Sequence, residues 1–417
     1  MRLSFKFKPT ITHKKLGIIR EFSWHTSKLY NATNYAIQND DELSPVYTKL
    51  DREFKYNWHC EYLHSHNRQH CLKQLASDWK SYFNSLKDYK KNPGKYKGMP
   101  KPPKYKHVDK NPNEVIFTKL AVRVQENTLL LSLSKKIKSK YGVDSLNFEL
   151  PQAVQSYINL ETLQQVRIKY DRLSKKWYLL VFYKTEEKEK DNWSNMMGVD
   201  LGLDNLAALT FRDNADCYLI HGKTAKSKNS YFNKEIAKLQ NIRMKQVGSK
   251  KFKDSKKIKQ LRLKRKNYIN DYLHKASRAV VDLAIKHQVS TIVLGDIKNI
   301  KQGNKAKSFV QIPIQRFAEM IEYKAKLEGI DVVKINESFT SGCSALDLEK
   351  LNRQNYDKSR RFVRGLFKTK IGVVINSDQN GSLNIIRKYL KDRCSLRPVE
   401  RARDNGFVDN PIRLRVS

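Results

Sequence analysis

The sequence has few cysteines and no long apolar run, and each absence excludes a class of protein. Its five cysteines, an odd number without a Cys-x-x-Cys pair, are scattered over 417 residues. They exclude a disulfide framework and do not form a recognisable four-cysteine zinc site. No stretch of about 18 apolar residues occurs, and the first residues lack the apolar core of a signal peptide. We therefore expect a soluble intracellular protein without bound zinc and without a membrane partner.

Acidic residues are also scarce relative to basic ones. The chain has 82 Lys and Arg against 42 Asp and Glu, a formal net charge of +40. Such self-repulsion brings nothing to an enzyme of small neutral substrates, whereas a protein that follows a polyanion gains attraction and counterion release. Hydrophobic residues still make up 39%, enough to bury real cores. Nucleic acid is the expected partner, and the length predicts about two to four domains.

The first half of the chain alternates between two kinds of apolar pattern. Alternation from Leu3 to Lys8 predicts a strand, and apolar residues at helical spacing follow from about residue 15 to 89. Strand patterns separated by turns then dominate from 114 to 186. We predict a small antiparallel β-barrel formed by 1–14 and 107–190, interrupted by a helical insertion with a basic linker over 15–106.

That linker, NPGKYKGMPKPPKYK at 92–106, is too rich in Pro and Gly for regular structure. It is either a polar connection or an extended basic segment that follows a sugar-phosphate backbone, with tyrosines that stack on bases. The candidate nucleic-acid-binding residues of this segment are Tyr96, Lys101, Lys104, Tyr105 and Lys106.

The second half, 191–390, has a different pattern of predicted strands and helices. A meander of short strands is followed by basic helices over 223–287 and then by alternating helices and strands. This order predicts a mixed α/β sheet of the RNase H-like type, and the whole chain is therefore an α+β multidomain protein. The remaining residues, 391–417, are a basic tail that is either an ordered RNA contact or disorder.

Two carboxylates stand out in this half. Asp200 interrupts an apolar strand, where an unpaired charge is costly, although an Asp there can also cap a turn or pair with a Lys. Asp378 opens a helix, a position where Asp is commonplace. Metal-assisted phosphodiester cleavage needs such hard oxygen ligands held close together, typically around two divalent cations.

The sequence around these residues resembles the RuvC nuclease segments of TnpB proteins and of the smaller type V CRISPR effectors. The matching segments are GVDLGLDNLAALT with Asp200, RFAEMIEYKAKLEGIDVVKINESFTS, and NSDQNGSLNI with Asp378. The resemblance is close over 193–390, and YFNSLKDYKKNPGKYKGMPKPPKYK extends it into the first half. It implies that Asp200 and Asp378 are the first and third catalytic carboxylates, and that the barrel is a wedge domain whose helical insertion is a recognition unit.

The second carboxylate departs from the usual family pattern, because Gly295 stands where the family has a Glu. Glu337 ends the next strand, and parallel neighbours present their C-terminal ends about 5 Å apart. We therefore predict Glu337 as the second carboxylate, as in a subset of TnpB-like and Fanzor-like proteins. Asp296 is the competitor, although alternation directs it to the opposite face of a continuing strand.

A second departure lies over 338–375, where many relatives have a four-cysteine zinc ribbon and this chain has Cys343 alone. A lone cysteine is usually a small packed residue, so no zinc is expected. Three arginines in this degenerate region, Arg360, Arg361 and Arg364, either contact nucleic acid near the active site or form a solvated face.

The resemblance implies an RNA-guided DNA endonuclease of a transposable element. In this hypothesis Asp200, Glu337 and Asp378 hold two Mg²⁺ ions for cleavage next to a short adjacent motif. Its partners are a guide RNA from the transposon end and double- and single-stranded target DNA, in a prokaryotic cytoplasm at the nucleoid or in a eukaryotic or viral host nucleus. The alternatives are a nuclease-inactive RNA-guided regulator of the same family and a basic RNA chaperone; monomer and dimer stay open.

Overall fold

The computed structural model describes residues 1–108, 112–249, 251–296, 312–363, 365–391, 396, 399–400 and 410–416. The chain forms two compact units, Met1–Thr185 and Glu186–Ser417. The boundary between them falls at the start of a charged run, EEKEKD at 186–191, which has no regular secondary structure.

The described residues of the first unit include seven strands. They are β1 Arg2–Phe7, β2 Val115–Thr118, β3 Val122–Gln125, β4 Thr128–Ser132, β5 Ser145–Glu149, β6 Leu163–Asp171 and β7 Lys176–Lys184. A four-stranded antiparallel sheet has the order β1-β7-β6-β2, and a three-stranded antiparallel sheet has the order β3-β4-β5. The strands predicted from sequence therefore form two sheets over one apolar core, and their closure into a wedge-type barrel stays a prediction.

The α-helices in the described part of this unit are α1 His13–Asn39, α2 Tyr47–Phe54, α3 Ser65–Lys91, α4 Lys135–Tyr141 and α5 Gln152–Gln155. The predicted helical segment contains α1 to α3, and α1 and α3 bury apolar residues such as Phe22 and Leu72 in the shared core. Helix α4 was not predicted from periodicity, because two turns are too short to show any. Its ends are set by local signals instead: the Ser134 hydroxyl caps its start, and Gly142 ends it at a left-handed φ of 57°.

The second unit is built on a six-stranded mixed sheet with the order β12-β11-β8-β9-β10-β15. Its strands are β8 Asn195–Leu201, β9 Asn205–Phe211, β10 Cys217–His221, β11 Val289–Asp296, β12 Asp331–Asn336 and β15 Ile412–Leu414, with β13 Leu366–Lys368 and β14 Val374–Asn376 in a separate hairpin. Strands β8 to β10 form the predicted antiparallel meander, and β11 and β12 run parallel to β8. The predicted mixed α/β arrangement is confirmed.

The helices of this unit are α6 Lys223–Val247, α7 Lys256–Lys286, α8 Ile314–Leu327 and α9 Ser377–Tyr389. The basic stretch forms two helices as predicted, and the second extends to Lys286, close to the predicted end at residue 287. Part of the basic tail is ordered, since β15 pairs in parallel with β10 at the sheet edge. None of the described helices combines the length and the apolar character needed to cross a membrane.

Candidate active site

The sheet and helix α9 bring the three predicted carboxylates into one site. Asp200 lies on β8, Glu337 directly follows β12, and Asp378 is the second residue of α9. Burial raises the pKa of Asp200 well above its usual range, and the negative charges of Glu337 and Asp378 raise it further. These carboxylates therefore repel one another across a shared space, which is the condition that bound cations relieve.

Two glycines allow α9 to lie this close to β8. A β-carbon at Gly381 would collide with the Asp200 carboxylate, and one at Gly198 would collide with the backbone carbonyl of Ser382. The Ser382 hydroxyl donates to the Gly198 carbonyl at 2.8 Å, so the small residues of the NSDQNGSLNI segment form the contact surface itself. Larger residues at either glycine would push the Asp378 helix away from Asp200.

Glu337 fills the place that a side chain at position 295 would occupy. Gly295 is paired with Ile335 across β11 and β12, and a β-carbon at Gly295 would overlap the Glu337 carboxylate. Burial, followed by the charge of Asp296, raises the pKa of Glu337 to about 7. Its Oε1 atom is buried without a hydrogen-bond partner among the described residues. An unpaired buried carboxylate oxygen is costly, and a cation ligand is the natural way to satisfy it.

The geometry thus supports Glu337 over Asp296 as the second carboxylate. The charge of Asp296 nonetheless raises the pKa of Glu337, which means that Asp296 lies near the site. Asp296 therefore remains the second choice for this carboxylate.

Asp378 does not serve as the cap of its own helix. The Asn376 side chain accepts from the backbone N–H groups of Asp378 at 3.0 Å and Gln379 at 3.2 Å, which caps α9. The Asp378 carboxylate instead accepts a 2.8 Å hydrogen bond from the Asn205 side chain at the start of β9. Asn205 is therefore an orienting residue that sequence reasoning missed, although it lies within the GVDLGLDNLAALT segment.

Helix α9 also holds the turn that begins at Glu337. Asn384 donates to the carbonyls of Thr340 at 2.9 Å and Cys343 at 2.8 Å, while Asn380 bonds to the Cys343 carbonyl and the Ala345 N–H. Both asparagines are fully buried and lie one helical turn apart. They tie the helix that carries Asp378 to the turn that carries Glu337, and so set the spacing of the two carboxylates.

The carboxylate set fits a divalent cation such as Mg²⁺ in its chemistry. It offers hard oxygen ligands, mutual repulsion and the unpaired Glu337 oxygen. Within the described ranges, no three or more His, Cys, Asp or Glu side chains are already gathered tightly enough to hold a metal ion. The fit therefore rests on charge and on the unpaired oxygen.

Arg360 requires a correction, because it is a structural residue and not an available nucleic-acid contact. Its guanidinium donates to both carboxylate oxygens of Glu349 at 2.9 Å, to Asp347 at 2.8 Å and to the Lys368 carbonyl at 2.9 Å. It also lies over the Phe367 ring at 4.8 Å, and only 12% of its side chain is exposed. Each of its three guanidinium nitrogens donates to a partner within the fold.

The other two arginines of the predicted set are Arg361 and Arg364. Arg361 is exposed and donates to the Ser341 carbonyl at 3.1 Å, and its positive charge partly offsets the rise in the pKa of Asp200. Arg364 lies outside the described residues. A nucleic-acid contact by Arg361 stays a prediction.

We expect Arg360→Met to destabilise the second unit by about 3–5 kcal/mol, because it leaves Asp347 buried without its cation and Glu349 with only the more exposed Lys370. Denaturant unfolding followed on the second unit measures this loss. Arg361→Met is the matched control and should shift the free energy of unfolding by no more than about 0.5 kcal/mol. Equal losses in both variants would contradict the assignment.

Since this ion-pair cluster holds the region together, a zinc chelator should leave the parent's unfolding midpoint unchanged.

The basic segment 92–106 is docked on the helices of the first unit. Tyr96 and Lys95 bond to Asp88 at 2.6 and 2.8 Å, and the Lys106 backbone pairs with the Asn31 side chain. The Lys106 ammonium lies 4.3 Å from the centre of the Tyr30 ring. Tyr96 and Lys106 thus already have protein partners.

Three other candidates of that segment are exposed, although the Tyr105 hydroxyl donates to the Gln38 side chain at 3.2 Å. Lys101, Lys104 and Tyr105 are exposed and line a cavity of about 490 Å³. Binding of nucleic acid by this segment stays a prediction, and it applies best to these three.

Two family models match this chain, and nearly all of the matched residues lie in the second unit. Residues 180–301 match the OrfB_IS605 family model, described as "Probable transposase", and 315–385 match "Cas12f1-like, TNB domain". The CRISPR-associated endodeoxyribonuclease Cas12f1 of Sulfoacidibacillus thermotolerans is 29% identical over 230 residues, 52% of each chain. The TnpB-like protein ORF457 of Acidianus two-tailed virus is 28% identical over 211 residues, 48% of this chain and 43% of that one. The matches therefore span about half the length of these relatives or less.

Solved structures show a shared fold at low identity. A Cas12f1-sgRNA-target DNA complex matches with a TM-score of 0.54 and 17% identity, covering 88% of this chain and 82% of that one. The mini-RNA-guided endonuclease CRISPR-Cas_phi3 matches with a TM-score of 0.53 and 11% identity, covering 95% and 94%.

Proposed function

This chain is a member of the TnpB and Cas12f group of proteins, and we propose that it is an RNA-guided DNA endonuclease of the metal-dependent RuvC type. The observation that carries the proposal is the position of Glu337. Its carboxylate lies over Gly295, and one carboxylate oxygen is buried without a hydrogen-bond partner among the described residues. The negative charges of Glu337 and Asp378 both raise the pKa of Asp200. A chain that had lost cleavage would have no reason to retain this costly arrangement.

The roles of the chain's own residues follow from their contacts. Asp200, Glu337 and Asp378 would hold Mg²⁺, two ions in our proposal, which supply the positive charge that stabilises the attacking and leaving oxygens of a phosphodiester. Asn205 orients the Asp378 carboxylate, and Arg361 adds a cation beside Asp200, where a target phosphate would approach.

Sequence specificity would come from base pairing with a guide RNA made from the transposon end, while the protein reads a short motif beside the target. The related Cas12f1 structure was solved with sgRNA and target DNA, which supports the same classes of partner for this chain.

Incubating the protein with its cognate RNA and a linear DNA carrying a matched target, in Mg²⁺ or in EDTA, tests the proposal. We expect cutting only with both RNA and Mg²⁺. RNA-dependent retention of the DNA without cutting would replace the nuclease by a regulator, the alternative that Gly295 favours. Absence of RNA-dependent DNA binding would leave an RNA chaperone.

A further inference from the structure

A second site in the second unit lies between α7 and the start of α8. A cavity of about 220 Å³ there is lined by Arg262, Arg265 and Lys266 from α7 and by Arg316 from α8. The rest of its wall is apolar except for Asn270, and none of the described lining residues is acidic. Four cations thus share one small cavity, and none of them belongs to the carboxylate site.

Within the described residues, most of this positive charge has no carboxylate partner. Arg262 forms an ion pair with Asp254 at 3.1 Å, but Arg265 donates from Nε to the neutral amide oxygen of Asn229 at 2.6 Å. The Asn229 contact orients the guanidinium without cancelling its charge. Burial, and after it the charge of Arg262, lowers the pKa of Arg265.

The two remaining cations, Lys266 and Arg316, are exposed and have no carboxylate at ion-pair distance within the described residues. Their field extends beyond the cavity. The pKa of His274 on α7 is lowered most by burial, then by the charge of Lys324, and then by the charge of Arg316. The charge of Asp271 opposes this shift. Like charges held together in a partly apolar cavity are unfavourable unless an anion occupies it.

We propose that this cavity binds a phosphodiester group of a nucleic-acid backbone. Guanidinium groups present forked donors that match phosphate oxygens, and the apolar part of the wall strengthens the attraction by excluding water. The cavity has room for a phosphate and its sugar edge. Only the nucleic-acid origin of the phosphate rests on the proposed function.

The test compares two triple variants that remove equal charge. The first is Arg265→Gln, Lys266→Gln and Arg316→Gln; the control removes three exposed lysines of the first unit, Lys8→Gln, Lys135→Gln and Lys176→Gln. Binding of a labelled mixed-sequence single-stranded RNA and of a labelled double-stranded DNA is measured from 50 to 300 mM salt without Mg²⁺. Mixed sequences suffice because phosphate contacts carry no sequence information.

We expect the pocket variant to bind about tenfold more weakly than the control near 0.15 M salt, with a slope of log K against log salt that is smaller by about 1–2. A loss confined to RNA assigns the site to RNA, a loss confined to DNA assigns it to DNA, and a loss of both assigns it to either backbone. Equal binding by the two triple variants overturns the proposal, as does a parent protein that binds neither probe.

Circular dichroism establishes that the variants fold, and the exposed Arg316→Gln alone provides a milder variant if the triple one does not. Because no readout depends on cleavage, a protein that binds through this cavity but never cuts would refute the endonuclease and leave the phosphate site standing.

Discussion

Asp200→Asn should reduce guided DNA cleavage by at least about a thousandfold while RNA and DNA binding stay at the parental level. The substitution keeps the shape that packs against Gly381 and removes the negative charge that the cations need. Gel-based cleavage and filter-binding measurements on the same preparations separate the two effects. Asp331→Asn is the matched control, because Asp331 is an exposed acid of the same unit that pairs with Lys190. An Asp200→Asn protein that still cuts would remove Asp200 from the site.

The same variant has a second, independent signature in metal-free protein. A carboxyl whose pKa is raised by folding stabilises the fold below its ordinary pKa of 3.8 and loses that contribution as pH rises through the raised native value. The difference in free energy of unfolding between the parent and Asp200→Asn should therefore shift against the parent as pH rises from about 4. A difference that shifts in favour of the parent over the same range would contradict the burial of this carboxyl.

Much of this site was predicted from the resemblance to RuvC segments, together with local sequence patterns. An Asp in an apolar strand and an Asp at a helix start are visible in the text, and strand geometry made Glu337 the expected partner of Gly295. The structure supports that step through the overlap of the Glu337 carboxylate with the space above Gly295.

What the sequence could not predict depends on contacts between distant residues. A surface arginine and a buried one look alike in sequence, and Arg360 is structural only because Asp347 and Glu349 meet it across a turn. The sheet partners in the first unit are likewise distant in sequence, since β1 pairs with β7 and β2 pairs with β6. Periodicity predicts that strands exist and leaves their partners open.

Gly295 and Glu337 should behave as one exchangeable position. Because a side chain at 295 and the Glu337 carboxylate need the same volume, Gly295→Ala should displace the carboxylate and slow cleavage about 100-fold, the effect of moving a reacting group by about 1 Å. Glu337→Ala should lose cleavage about as completely as Asp200→Asn. These two losses are expected from any residue that matters for activity, so they do not by themselves locate the carboxylate.

The decisive variant is therefore Gly295→Glu combined with Glu337→Ala. It returns a carboxylate to the emptied volume from the neighbouring strand, so cleavage should recover by at least about tenfold over Glu337→Ala alone. Gly295→Gln with Glu337→Ala is the control, because it fills the same volume without charge and should not recover. Recovery in both would mean that packing alone is restored. If Asp296→Asn abolishes cleavage and Glu337→Ala does not, the second carboxylate is Asp296, and Glu337 only packs over Gly295.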